Sequence, residues 1–111
     1  MKRFEALDLG FALAKALGPA IEIIRQHDRE MAAQLRSAGT SAPSCVAEGS
    51  KRAGGDRLQL YRTASGSAAE IRVQILLAAA WGWLPQATAD EIAELADRLT
   101  AITWRLSHPR K

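Results

Sequence analysis

Apolar residues recur along the chain at alternating steps of three and four, the period of an α-helix that buries one face. From about Phe4 to Gln26 the stripe runs through Phe4, Leu7, Phe11, Ala14, Gly18 and Ile21, widened by Leu17 and Ile24. Gly18-Pro19 interrupts it. A proline inside a helix removes one hydrogen bond and presses on the carbonyl four residues earlier, so a kink or two short helices are expected there. Asp28 suits the N-cap of a second helix, since its carboxylate can accept from the free amides of the first turn. Met31, Leu35, Ala38, Ala42, Cys45 and Gly49 then form a seam of small residues that admits a close neighbour, although Gly39, Thr40, Ser41 and Pro43 favour a loop by propensity alone.

Gly49 to Gly55 is the clearest turn. Asp56 opens the longest helical pattern, to about Trp83, through Leu60, Ala64, Ser67, Ile71, Ile75 and Ala78, with Leu58, Tyr61, Ala68 and Ala79 on the adjoining face. Its middle, Ala64 to Ala69, has little side-chain bulk and predicts packing on more than one side. Gly66 costs about 1 kcal/mol relative to alanine inside a helix, which predicts a close neighbour there. Gly82, Leu84 and Pro85 end this helix, and Thr88 with Glu91 is a capping-box signature for a fourth. Ile92, Leu95, Ala96, Leu99, Ile102, Thr103 and Leu106 keep the period until Pro109. The pattern predicts an all-α fold: an antiparallel up-down-up-down four-helix bundle, one domain over residues 1–111.

Composition agrees with helices throughout. Alanine and leucine dominate, Val46 and Val73 are the only valines, and aromatics are 5%, so strand formers are scarce. The longest apolar run, Val73 to Leu84 with Gln74 in it, is too short for a bilayer span. Met1-Lys2-Arg3 has the charge of a signal-peptide n-region, but Glu5 and Asp8 interrupt the apolar stretch that a signal peptide needs next, and a cytoplasmic protein is expected. The single cysteine, Cys45, precludes an internal disulfide. The net charge of +3 is only mildly basic and decides little by its size.

Position is more informative than total charge. Lys51, Arg52, Arg57 and Arg62, with Gln59 and Tyr61 among them, surround the second turn and the helix start after it. Cations beside free helix-start amides and an aromatic suit a nucleic-acid backbone without reading its sequence; a solvated basic end is the alternative. Arg105, His108, Arg110 and Lys111 either extend that group or complement the dipole at the end of the last helix. Arg36, Glu48 and Glu70 lie within the small-residue segments and predict an interhelical or intersubunit ion-pair network, because a desolvated ion without a partner is costly. Trp81, Trp83 and Trp104 predict an aromatic cluster closing the bundle, or a subunit contact, far from the basic turn. His27 and His108 are expected at the solvated surface, and Cys45 is expected to be an inert core thiol. Neither a catalytic constellation nor a metal-ligand spacing is present in the sequence, so no enzyme, cofactor or metal is expected.

The second and third helices also carry a resemblance. Gln34-Leu35-Arg36, then Ser41, Pro43 and Ser44, Ala47-Glu48-Gly49, and after the turn Arg62, Ala64, Gly66-Ser67-Ala68-Ala69-Glu70 and Gln74, resemble the bacterial four-helix-bundle proteins encoded in intervening sequences of 23S ribosomal RNA genes. That family is similar to the accessory variability determinant proteins (Avd) of diversity-generating retroelements. The chain departs from the usual pattern at Cys45, where asparagine is common, and lacks the customary aromatic-proline loop between the first two helices. The resemblance implies a helix through residues 39–44, distorted at Pro43, and a homopentameric ring with a basic surface. Its Avd relatives bind nucleic acid and partner a reverse transcriptase. The expected function is therefore a non-enzymatic oligomeric bundle that binds RNA or DNA, accessory to a reverse transcriptase or another RNA-related system. The alternative is a structural or protein-interaction scaffold that binds no nucleic acid.

Overall fold

The computed structural model describes residues 2–110, with side chains from Glu5 to Arg110. Four helices follow one another, α1 (Lys2–Arg25), α2 (Arg29–Gly49), α3 (Gly54–Ala80) and α4 (Gln86–Ser107), in a bundle 45 × 22 × 18 Å. The three connections are short, so successive helices are antiparallel. α3 packs most extensively on α4 and α2, α1 packs on α2, and the α1–α4 seam is the thinnest. The sparse side chains of α3 thus serve two neighbours, as its middle predicts.

α1 runs unbroken through Pro19. Its buried face differs from the predicted stripe. Ala6, Leu9, Gly10, Leu13, Leu17, Ala20 and Ile24 are buried, whereas Phe11 is 63% exposed and Gly18 is exposed. α1 carries apolar residues on most of its sides, so periodicity alone does not select the face. Close approach selects it: a Cβ on Gly10 would lie 2.9 Å from Cβ of Pro43, so the absent side chain lets the prolyl ring of α2 settle against α1. The predicted position Phe4 lies outside the described side chains.

α2 begins as the sequence indicates, with Asp28 Oδ1 accepting from Met31 N at 2.9 Å. It continues through residues 39–44, where Ala38, Gly39 and Ala42 are buried and packing overrides propensity. Gly39 is close to Leu17, and Gly49 to the buried ring of Tyr61, where an added Cβ would meet Cε1 at 2.8 Å. Gly66 does not follow this pattern: an added Cβ would meet nothing within 4 Å. The predicted neighbour is absent, and the residue is exposed.

α3 starts two residues before Asp56, at Gly54, whose φ of +62° suits glycine, and Ala53 at its N-cap makes no side-chain cap bond. It ends in a Schellman arrangement. Gly82, at φ +85°, donates to Ala79 O, and Trp83 N donates to Ala78 O at 2.9 Å. α4 begins directly after Pro85, which corrects the capping box: Thr88 lies inside the first turn and makes no cap. Burial of Leu84 anchors the chain just ahead of Pro85, whose preset φ leads straight into the helix.

The aromatic cluster is also corrected. Trp83 stacks on His27 with ring centroids 5.2 Å apart, and on Trp81 at 6.3 Å, so the α1–α2 and α3–α4 turns meet at one end. Trp104 belongs to the opposite end. α4 runs antiparallel to α3, so its last turns return to the start of α3, where Trp104 stacks on His108 at 3.9 Å.

Candidate nucleic-acid interface

The last turn of α2 presents carbonyl oxygens, and the residues after it are drawn in to satisfy them. Ser50 N donates to Val46 O, Ser50 Oγ to Ala47 O, and Lys51 N to Glu48 O. Arg57 reaches back from the first turn of α3 and donates from Nε to Arg52 O at 2.7 Å and to Gly49 O at 3.3 Å. One of the four cations predicted to hold phosphate is therefore half-buried and ties the two helices together through Nε. Arg52 pairs with Glu48 at 3.4 Å, an exposed contact that leaves both side chains largely in water. Lys51 and Arg62 are exposed. Asp56 is the acidic residue in the first turn of α3, where it favours the positive end of the helix dipole.

Arg57, Leu58 and Tyr61 on α3 and Arg105, Leu106 and Pro109 beyond them line a cleft of about 450 Å³. Arg105 thus stands at the same end as the basic turn, and so does Trp104, 54% exposed. This corrects the expectation that all three tryptophans lie far from this turn. The signal that places Trp104 is present in the chain: a short α3–α4 connection returns the end of α4 to the beginning of α3. Lys111 lies outside the described residues.

Within one chain Arg36, Glu48 and Glu70 do not meet. Glu48 pairs with Arg52, and Glu70 accepts from Gln74 Nε2, which also donates to Gln34 Oε1 at 2.8 Å on the α2–α3 seam. Arg36 instead lines a groove of about 660 Å³ beside α1, together with Arg25 and Arg29 and the small residues Ala33, Ser37 and Thr40. Sequence reasoning misses that groove: Arg29 and Arg36 share one face of α2 at a spacing of seven, but Arg25 ends α1 and joins them only across the α1–α2 turn.

Cys45 is half-buried, with Sγ 3.8 Å from Ser41 Oγ. His27 and His108 are exposed at their edges while stacked on tryptophans. Among the described residues no group of three or more His, Cys, Asp or Glu is placed to hold a metal ion, and no helix is long and apolar enough to cross a membrane.

The fold defines a four-helix-bundle protein. Its family follows from the sequence as a whole: the chain belongs to the 23S rRNA-intervening sequence protein family, whose model matches residues 2–105. No curated protein and no solved structure matches it.

Proposed function

We propose that the protein is a non-enzymatic bundle that binds nucleic acid through the cations around the start of α3, with Lys51, Arg52, Arg57 and Arg62 holding phosphates. The observation that carries this reading is the convergence of the α2–α3 turn with the end of α4, which adds Arg105 to the four at one end of the bundle. The absence of a side-chain cap at Ala53 favours it further, since the first amides of α3 keep their capacity to meet an anion. Such contacts grip backbone phosphates and leave base sequence unread. The family name, which refers to intervening sequences of 23S rRNA, makes RNA the first ligand to try.

The proposal includes self-assembly, in keeping with the pentameric ring and the reverse-transcriptase partner implied by the resemblance to Avd proteins. Its physical support is charge complementarity between two faces of the same chain. The groove beside α1 carries Arg29, Arg36 and an Arg25 paired with Glu22 at 2.8 Å, while the exposed side of α4 carries Asp90, Glu91, Glu94 and an Asp97 that lies 3.9 Å from Arg72. Arg36 would then find a carboxylate on a neighbouring copy. A head-to-tail contact of this kind closes into a ring when its rotation permits.

The test is fluorescence anisotropy with a labelled 20-nucleotide RNA at low salt, comparing the wild type with a Lys51→Ser, Arg52→Ser, Arg62→Ser variant. Arg57 is spared because it also closes the turn. Loss of binding in the variant, with unchanged circular dichroism, is the expected result. Equal binding by both proteins refutes the assignment of these residues, and no binding by the wild type leaves the scaffold reading in its place.

A further inference from the structure

Trp104 is more than half exposed although one side of its indole is occupied. His108 stacks on it at 3.9 Å with an interplanar angle of 16°, and His108 Nδ1 lies 2.8 Å from Trp104 O and 3.0 Å from Ser107 Oγ. The imidazole is thus held by the last turn of α4 and covers one face of the exposed indole.

Trp104 stands at the end of the bundle that carries the basic turn, one helical repeat beyond the acidic Asp97. Ser65 Oγ donates to Thr100 O at 3.2 Å, and Arg72 Nε lies 3.9 Å from Asp97, which sets the antiparallel register of α3 against α4. One turn on from Ser65 and Thr100, Trp104 lies level with Tyr61 and Arg62, of which Tyr61 is buried and Arg62 exposed. The next residue, Arg105, lines the cleft that Arg57 also lines. An exposed aromatic face at the same end of a bundle as several guanidinium groups can hold an unpaired base by stacking while those groups neutralise neighbouring phosphates.

We infer that Trp104, one face of which His108 covers, is a stacking platform for an unpaired nucleobase, and that the protein therefore prefers single-stranded nucleic acid to a duplex. This rests on the proposal that the basic end binds nucleic acid, and it adds what that proposal lacks, a reason to distinguish strand state. In a duplex the faces of the bases are covered by their neighbours, so the platform has nothing to stack on. Stacking is tolerant of base identity, so the preference is for strand state and not for sequence.

The experiment measures binding of a labelled 12-nucleotide oligo-U, the corresponding oligo-dT, and a mixed-sequence duplex of equal length at low salt. The proteins are the wild type, Trp104→Ala and Trp104→Phe. Trp104→Ala should weaken single-strand binding by about 5- to 150-fold, the loss that removal of one base–aromatic stack produces. Trp104→Phe should restore most of it, and duplex binding should be the same for all three. In a Trp81→Phe, Trp83→Phe background, the remaining indole emission should be quenched by the single strand and not by the duplex. Single-strand affinity unchanged in Trp104→Ala, or an equal loss for single strand and duplex, overturns the platform while leaving the electrostatic reading standing. A wild type that binds none of the three ligands overturns both.

Discussion

Alanine introduced at Gly10 and at Gly66 should move stability in opposite directions. Both glycines are inside helices at ordinary helical φ, so each substitution gains the same propensity term, about 1 kcal/mol. The surroundings separate them. A Cβ on Gly66 meets nothing within 4 Å, so the gain should appear in full. A Cβ on Gly10 would lie 2.9 Å from Pro43 Cβ and 3.2 Å from Pro43 Cα. Carbon atoms prefer a separation of about 3.5–4.0 Å, and a prolyl ring has no rotamer that moves it aside, so α1 and α2 must part by roughly half an ångström or more. Overpacking of this kind costs about 1–3 kcal/mol. Because the propensity term is common to both, the stability difference between the two variants isolates the packing cost. With a urea m-value of about 1–3 kcal/mol per molar, their midpoints should differ by roughly 1 M, Gly66→Ala being the more stable. The assay is urea denaturation followed by circular dichroism at one fixed protein concentration, since assembly would otherwise shift the midpoint. Equal midpoints, or a more stable Gly10→Ala, would refute the claim that close approach of α1 to Pro43 selects the buried face of α1.

Three further outcomes are expected. Tyr61→Phe should raise stability by about 1 kcal/mol in thermal denaturation, because the Tyr61 hydroxyl is buried without a hydrogen-bond partner among the described residues. Asp28→Ala should cost about 1 kcal/mol through loss of the bond to Met31 N, and Asp28→Asn should recover most of it, read from the same melts. Arg57→Ala should cost about 1 kcal/mol by removing a donor from the carbonyls of Gly49 and Arg52. Arg57→Lys should recover little of that, because an ammonium lacks the fixed fork of a guanidinium.

Much of the bundle is legible in the chain, for reasons that differ by helix. α4 separates its faces cleanly, so Ile92, Ala96, Leu99, Ile102 and Thr103 are all buried as their spacing requires. Asp28 is legible because a residue whose short carboxylate can cap stands three positions before the apolar period that begins at Met31. α1 is not, because Phe11 and Leu13 are equally good core residues until Pro43 arrives from another helix. Thr88 with Glu91 resembles a cap in isolation, and only the burial of Leu84 shows that the helix has already begun. The basic residues near the second turn are visible as a group, but the contribution of Arg57 to closing that turn depends on a contact eight residues back in sequence. The position of Trp104 beside them follows from topology more than from local pattern. It emerges only when the antiparallel rule is applied to the far end of α4.

The central claim is that cations at the α2–α3 end hold nucleic-acid phosphates, and the salt dependence of RNA binding tests it most directly. Four phosphate contacts on a single strand give a slope of about −3 in log K against log salt concentration, and removing Lys51, Arg52 and Arg62 together should flatten it to about −1. A wild-type slope near zero, or a slope that the three substitutions leave unchanged, would contradict the account.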